Sequence, residues 1–283
     1  MRLKGSGGQP WTYSVGGAAK PADHAKQSRG DTSLARFDLS SWTQTGGWLP
    51  TWRMGEFAVL AAICLIAGTG LVIFELAEEI GEGETHAFDT AILLAFRNPA
   101  DRADPIGPWW LEQMMKDVTA LGGTSVLTLI TVIALGYLLI ERKYHAAAFL
   151  LVAMVGGSLL SSLLKLGFDR PRPDLVAHGA QVYSASFPSG HALMSAVAYL
   201  TLGALLARVQ KGRRLKLYFL AVAVALTMLI GVTRVYLGVH WPTDVLAGWC
   251  IGSAWALACW LLAMWLQRRG EMEGSGQEPA RPV

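Results

Sequence analysis

The chain has 283 residues, of which 52% are hydrophobic and only 16% are charged. Soluble domains carry about 25% charged residues, so this chain lacks the charge needed to cover a soluble surface of its size. With 31 glycines and three cysteines it is neither collagen-like nor a disulfide-stapled scaffold. The apolar residues are bunched into long runs, which predicts a bilayer as the main solvent.

Both ends of the chain are polar and lack apolar periodicity. Residues 1–52 are rich in Gly, Ser and Thr, and residues 269–283 are rich in Gly, Glu and Pro. We expect two disordered cytoplasmic tails on either side of a membrane domain at 53–268. No apolar stretch follows Met1 and Arg2 directly, so the first segment is not interpreted as a cleavable signal peptide.

Six apolar segments fill the domain between the tails. A helix needs about 20 residues to cross a hydrocarbon core about 30 Å thick, and most of these segments reach that length. We therefore predict an all-α polytopic membrane protein, a bundle of six transmembrane helices. The predicted spans are Phe57–Leu76, Leu121–Ile140, His145–Leu164, Ala192–Ala207, Leu217–Val232 and Val245–Leu266.

The connection after the first span is long and begins with acidic residues. Within it, Thr85–Arg97 is predicted to form a short amphipathic helix. Trp109 and Trp110 follow; paired tryptophans near a membrane boundary are typical interface anchors, with contact to a substrate tail as the alternative. The apolar face of the short helix would carry Phe88, Ile92 and Phe96.

Positive charges indicate which side of the membrane is cytoplasmic. Basic residues occur at four places that all fall on one side if six spans alternate. The positive-inside rule makes that side the cytoplasm, with both termini inside and the protein in a cell (inner) membrane. The four places are Arg53, Arg142–Lys143, the run 208–216 and Arg268–Arg269.

On the opposite, extracytoplasmic side, two connections carry charged residues at the ends of apolar spans. Charges so placed are costly in a bilayer and tend to be functional. Lys165, Arg172 and Arg234 supply three cations that suit a cluster of anionic oxygens. The predicted active site therefore lies at this membrane interface.

A helix is predicted to start at Ser189, since Ser is a favoured cap and an apolar span follows. The N–H groups of such a start bind phosphate, and Gly190 would let a ligand approach the backbone. Farther along, Asp244 is placed to orient the ring of His240, and His191 is available to protonate a leaving oxygen. This set favours phosphoryl transfer through a phosphohistidine; a metal site built from the two histidines and Asp244 is disfavoured by the nearby cations.

Three sequence blocks resemble the signature of a known protein family. They look like the three-part signature of the type 2 phosphatidic acid phosphatase superfamily, and they span Lys165 to Asp244. The blocks are Lys165 with six residues before Arg172-Pro173, then Pro188-Ser189-Gly190-His191, then Arg234 with five residues before His240 and three more before Asp244.

The resemblance implies a role for each matching residue. His240 would be the nucleophile, His191 the general acid and Asp244 the orienting partner of His240. No metal or other cofactor would be required. Thr233 replaces the family's usual Ser and keeps a hydroxyl for the phosphate, while Arg170 lies outside the spacing as an auxiliary or structural charge. The implied phosphate-binding residues are Lys165, Arg172, Ser189, Gly190 and Arg234.

The expected function is hydrolysis of a lipid phosphate or isoprenyl diphosphate, with a membrane lipid and not nucleic acid as partner. Phosphatidic acid, phosphatidylglycerol phosphate, undecaprenyl diphosphate and lipid A all fit, and the isoprenyl diphosphate is weakly favoured. Transfer of phosphate to a lipid acceptor is an alternative on the same scaffold. Haloperoxidase chemistry and a non-catalytic lipid-binding or transport protein are the other readings. The remaining histidines match no motif; His178, between the blocks, is a candidate substrate contact.

Overall fold

A computed structural model of the protein describes residues 63–71, 74–75, 78–79, 84–168, 170–174 and 185–274, with side chains as far as Leu266. All of them belong to one unit, Leu39–Val283. The predicted N-terminal tail, part of the predicted first span and His178 lie outside the described residues.

The described chain is helical apart from one short hairpin. Residues 63–71 are helical and are called α1. The later elements are α2 (His86–Ala95), β1 (Arg97–Asn98), β2 (Asp101–Pro105), α3 (Trp109–Ala120), α4 (Thr124–Ile140), α5 (Tyr144–Gly167), α6 (Gly190–Val209), α7 (Arg213–Tyr236) and α8 (Pro242–Gly274).

Four of the described helices, α5 to α8, are long and apolar enough to cross a membrane. Together α3 and α4 make a fifth candidate span, bent by 47° at a short break. The predicted second span, Leu121–Ile140, corresponds to α4, which begins three residues later because Gly122 and Gly123 interrupt the helix before Thr124. The structure confirms a helical membrane protein with four or five candidate spans among the described residues.

Two predicted boundaries differ from the observed ones. The helix α8 continues to Gly274, although a disordered tail was expected from residue 269. Residues 267–273 are mostly Gln, Arg, Glu and Met, which are strong helix formers even where they are too polar to lie in lipid. The helix α7 similarly begins at Arg213, before its apolar stretch.

The short helix predicted at 85–97 is present as α2, but its buried face differs in part from the expected one. Asp89 and Leu93 are fully buried, whereas Phe88 is 51% exposed. The helix turns its carboxylate inward because buried donors from two other segments bind it, as described below. Ile92 and Phe96 of the predicted face are half-buried against the same cluster as Leu93, so the buried side of α2 matches the predicted face in part.

At the centre of the bundle, α6 packs against α5, α7 and α8. Small residues permit this close packing, and Gly248 and Gly252 form a GxxxG pair on α8. A methyl group at Gly252 would lie 2.4 Å from the carbonyl oxygen of Leu193, and one at Gly248 would lie 2.8 Å from that of Ser189. The two glycines thus bring the start of α8 directly against the start of α6.

The outer face of the bundle is apolar, as expected for a surface in contact with lipid. On α5, Leu159, Leu163 and Leu166 are 60%, 65% and 86% exposed. Exposed leucines at helical spacing would be unfavourable in water over such an area.

The hairpin is fastened to the end of α7. Arg97 is buried, and its Nη2 donates to the carbonyl oxygen of Tyr236 at 2.9 Å. The Tyr236 hydroxyl in turn donates to the carbonyl oxygen of Ile106 at 2.8 Å. A cation at the C-terminus of a helix binds its last carbonyl groups, so Arg97 stabilises the end of α7, where the third sequence block begins.

Candidate active site

The three sequence blocks meet at one end of the bundle. The backbone N–H of Ser189, at the start of α6, donates to the carbonyl oxygen of Asp244 on α8 at 3.0 Å. Lys165, near the end of α5, donates from Nζ to the carbonyl oxygen of Ala185 at 3.1 Å. The predicted site residues thus come from four helix ends that lie together.

The start of α6 has the form expected of a phosphate cradle. Ser189 caps the helix, accepting a hydrogen bond from the N–H of Ala192 at 3.5 Å. A Cβ built on Gly190 would lie 3.8 Å from Cε of Lys165, so the lysine side chain runs beside the first turn. Because the N–H groups of a first turn have no partner within the helix, this end combines free donors with a nearby cation.

A tight turn between α7 and α8 presents His240. Gly238 adopts a φ of +70°, in the left-handed region that ends many helices, and its N–H donates to the carbonyl oxygen of Val235 at 2.9 Å. The turn directs His240 into the protein, where only 2% of the residue is exposed. Pro242 then starts α8 at a position where its missing N–H costs nothing.

The two ring nitrogens of His240 face different partners. Nδ1 lies 3.5 Å from Oδ2 of Asp244 and 3.4 Å from the hydroxyl oxygen of Ser186. Nε2 lies 3.2 Å from Nη1 of Arg172. With the proton on Nδ1, toward the carboxylate, Nε2 keeps its lone pair on the side of a phosphate-binding cation.

Burial, together with the positive charges of Arg172 and Arg234, lowers the pKa of His240 to about 4 against the opposing effect of Asp244. The imidazole is therefore neutral at pH 7. A nucleophilic imidazole must be neutral, and this environment meets that requirement.

The second imidazole, His191, lies in the first turn of α6 against the bend between α3 and α4. A Cβ on Gly122 would lie 3.4 Å from Cδ2 of His191, and one on Gly123 would lie 3.9 Å from its Nε2. The ring therefore packs directly against this bend, which sequence reasoning did not connect with the site. Among the described residues, no three His, Cys, Asp or Glu side chains are grouped as a metal site.

Arg234 is held from the same bent pair of helices. Its Nη1 donates to the hydroxyl oxygen of Thr119 on α3 at 3.0 Å. Its Nε is buried and has no hydrogen-bond partner among the described residues. A buried guanidinium N–H without a hydrogen-bond partner is unfavourable and is available to an anionic oxygen.

Thr233 is placed differently from the expectation. Its hydroxyl is fully buried and donates to the carbonyl oxygen of Ile230 at 2.6 Å, so its proton is not directed at a phosphate. Threonine in a helix commonly bonds the carbonyl three or four residues earlier.

The carboxylate of Asp244 is fully buried and surrounded by donors. Its Oδ2 accepts the Ser186 hydroxyl at 2.5 Å and the N–H of Trp241 at 3.0 Å. Its Oδ1 accepts Nη1 of Arg170 at 2.6 Å. The carboxylate is therefore fixed in place beside His240, with Oδ2 at 3.5 Å from Nδ1 of the ring.

Arg170 connects Asp244 to a second buried carboxylate. Its Nη2 lies 2.6 Å from Oδ2 of Asp89, on α2. Asp89 also accepts the N–H of Thr243 at 2.9 Å and its hydroxyl at 2.7 Å. Two carboxylates thus share one guanidinium, which agrees with the structural charge predicted for Arg170.

Sequence reasoning missed Asp89 and Ser186 as members of this site. The only available signal for Asp89 was a carboxylate within the otherwise apolar start of a short helix. Ser186 had no signal beyond its place before the second block.

Comparison with known proteins agrees with this geometry. Residues 146–268 match the model of the PAP2 superfamily. Phosphatidylglycerophosphatase B of Bacillus subtilis (strain 168) is 36% identical over 150 residues, which is 50% of this chain and 70% of that protein. The chain belongs to the PAP2 superfamily.

This chain matches two further relatives over most of their length. Lipid A 1-phosphatase of Rhizobium etli is 28% identical over 181 residues, or 54% of this chain and 73% of that protein. The crystal structure of a transmembrane PAP2-type phosphatidylglycerolphosphate phosphatase from Bacillus subtilis superposes with a TM-score of 0.63 at 29% identity, covering 72% of this chain and 96% of that one. The resemblance predicted from the three blocks is thereby confirmed.

We expect Arg170→Gln to lower kcat for phosphate release about tenfold to a hundredfold with little change in KM. Arg170 contacts Asp244 and not the phosphate region, so its loss misplaces the carboxylate behind His240. Steady-state kinetics in detergent would measure the effect, with Arg102→Gln, an exposed arginine in the hairpin, as the matched control. A change confined to KM would contradict a positioning role.

Proposed function

We propose that this protein is a membrane phosphatase that hydrolyses a lipid phosphate through a covalent phosphohistidine on His240. The observation that carries the proposal is the 3.2 Å distance between Nε2 of His240 and Nη1 of Arg172. A neutral imidazole nitrogen beside a guanidinium is the arrangement that an attack on a bound phosphate requires.

The phosphate would lie between the start of α6 and the three cations. Its oxygens would accept from Lys165, Arg172 and Arg234, including the unpartnered Nε of Arg234. The N–H groups of the first turn after Ser189 would complete the cradle. These donors stabilise the charge on the equatorial oxygens in the transition state, which is the main task of a phosphoryl-transfer site.

In the first step, Nε2 of His240 attacks phosphorus. The Nε2–P bond forms as the bond between phosphorus and the lipid oxygen breaks, and that oxygen leaves with the electron pair. Protonated His191 gives its proton to the leaving oxygen, so the lipid departs as an alcohol. Asp244 holds the Nδ1–H of His240 and stabilises the positive charge that develops on the ring.

In the second step, water attacks the phosphohistidine. His191, now neutral, takes a proton from the water as the new P–O bond forms and the Nε2–P bond breaks. Inorganic phosphate leaves, and His240 and the protonated His191 are restored. The same residue thus serves as acid and then as base.

The substrate class proposed first is a glycerophospholipid phosphomonoester of the phosphatidylglycerol phosphate type. Its support is the similarity to phosphatidylglycerophosphatase B, which extends over 70% of that protein. This differs from the weak preference for an isoprenyl diphosphate drawn from the sequence. Because the site lies at the ends of apolar helices, a lipid headgroup can reach it while the acyl chains remain in the bilayer.

The proposed orientation places this site on the extracytoplasmic side. The basic residues Arg208 and Lys211 lie where α6 ends, opposite to the site. Lys/Arg-rich connections mark the cytoplasmic side.

We expect His240→Ala to lower phosphate release at least about a thousandfold, since it removes the nucleophile. Release would be measured with a panel of phosphatidylglycerol phosphate, a diphosphate isoprenoid and lipid A, in the presence and absence of EDTA. The matched control is His145→Ala, since His145 is exposed at the other end of α5. Wild-type activity should persist in EDTA and be highest on phosphatidylglycerol phosphate.

Normal turnover by the His240→Ala variant would contradict the mechanism. Strong inhibition of folded wild-type protein by EDTA would contradict metal-independent catalysis. Highest activity on the isoprenoid or on lipid A would overturn only the substrate class.

A cysteine at Asp174 should react in intact cells with a membrane-impermeant maleimide, whereas one at Lys211 should not. Both positions are exposed, and they lie at opposite ends of the bundle. Cys64, Cys250 and Cys259 would be replaced by Ser in the background. The reverse labelling pattern would overturn the proposed orientation.

A further inference from the structure

A cavity lies at the end of the bundle opposite to the candidate active site. It has a volume of about 980 Å³, at the upper end of the range of ligand pockets. Residues of α5, α6, α7 and α8 line it. Since α6 has 20 residues and rises about 1.5 Å per residue, the mouth of this cavity is about 30 Å from the active site at the other end of that helix.

The walls of the cavity are apolar. They include Phe149 of α5, Leu200 and Ala204 of α6, and Leu257 and Trp260 of α8. At the lip, Leu217 and Leu220 of α7 are 56% and 39% exposed, so the cavity opens sideways between helices toward the surroundings of the bundle. In a membrane domain, an apolar helix surface of this kind faces acyl chains. An acyl chain of a lipid can therefore enter the cavity from the bilayer without crossing water.

The mouth of the cavity is basic. Four of the described residues that line it are cationic, and none is acidic. Basic pockets between membrane helices bind the phosphate headgroups of anionic lipids, because the cations attract the phosphate while the helices receive its chains. The four cations are Arg208, Lys211, Arg213 and Lys216.

A polar side chain on the cavity wall has a buried hydroxyl group without a partner among the described residues. Thr201 lines the wall and is only 2% exposed, and its Oγ1 is buried with no hydrogen-bond partner among the described residues. Buried hydroxyl groups are normally hydrogen-bonded, so this one needs an explanation. Arg208 lies seven residues farther along α6, about 10 Å away on nearly the same face, so the hydroxyl lies below the basic mouth.

We propose that this cavity is a binding site for an anionic glycerophospholipid from the leaflet opposite to the catalytic site. Its phosphate would be bound by the cations at the mouth, and an acyl chain would fill the apolar walls. A rotation of the Thr201 side chain, whose hydroxyl is buried in this structure, would let it donate to an ester oxygen of the lipid. The site is distinct from the active site and does not depend on the function proposed above.

The test uses full-length protein in a non-ionic detergent with dioleoyl phosphatidylglycerol, and native mass spectrometry counts the lipid retained. Two variants address the site independently: Arg208→Gln combined with Lys211→Gln removes charge at the mouth, and Ala204→Phe fills the cavity. Arg214→Gln is the matched control, since Arg214 is an exposed cation of the same basic run that does not line the cavity. Phosphatase activity at the other end of the bundle verifies that each variant is folded.

Wild-type protein and the Arg214→Gln variant should each retain one phosphatidylglycerol molecule. The charge variant and the filled variant should bind it at least about tenfold more weakly with activity preserved, and phosphatidylcholine should bind as weakly to the wild type. Equal retention in all variants would place the lipid elsewhere, for example in the active site, and overturn the proposal. Equal binding of phosphatidylcholine, or displacement by glycerol phosphate at concentrations similar to those of the lipid, would overturn it as well.

Discussion

The buried carboxylate of Asp244 is the group on which the rest of this site depends. It accepts hydrogen bonds from Ser186, from the backbone of Trp241 and from Arg170, and it lies beside His240. An ionised carboxylate without water is strongly unfavourable unless such donors surround it. Arg170 and Ser186 both lie in the connection between α5 and α6. The need to stabilise the charge of Asp244 therefore holds this connection against the start of α8.

The same requirement explains why a short peripheral helix belongs to the site. Without Asp89 of α2, the largely buried Arg170 would keep one carboxylate, Asp244, among its described partners. Removing one member of a buried ion pair typically costs about 3–5 kcal/mol, because the other charge remains buried. The network thus links the position of α2 to the carboxylate beside His240.

Much of the framework could be predicted from the sequence. Hydrophobic run lengths identified the long helices, since lipid requires about 20 apolar residues per span. The three blocks identified the superfamily, because their order and spacing are specific. Charged residues at the ends of apolar spans predicted that the blocks meet at one end of the bundle, and the structure brings Lys165, Ser189 and Asp244 together there.

The rest could not be predicted, because it depends on contacts between distant segments. Asp89 and Arg170 are 81 positions apart, and no periodicity relates them. The Thr233 hydroxyl could bond either a ligand or its own helix, a choice that residue type does not decide. The bend at Gly122 could have been predicted from its two adjacent glycines. Its contact with His191 could not, because that contact depends on how α4 packs against α6.

The central claim is that His240 becomes covalently bonded to phosphorus, and the stereochemical course at phosphorus tests it most directly. A lipid phosphate made chiral with one sulfur and two oxygen isotopes would be hydrolysed in water enriched in the third isotope. Two successive in-line displacements, on His240 and then by water, predict net retention of configuration in the released thiophosphate. Net inversion would mean that water attacks the lipid phosphate directly, which would contradict the covalent mechanism.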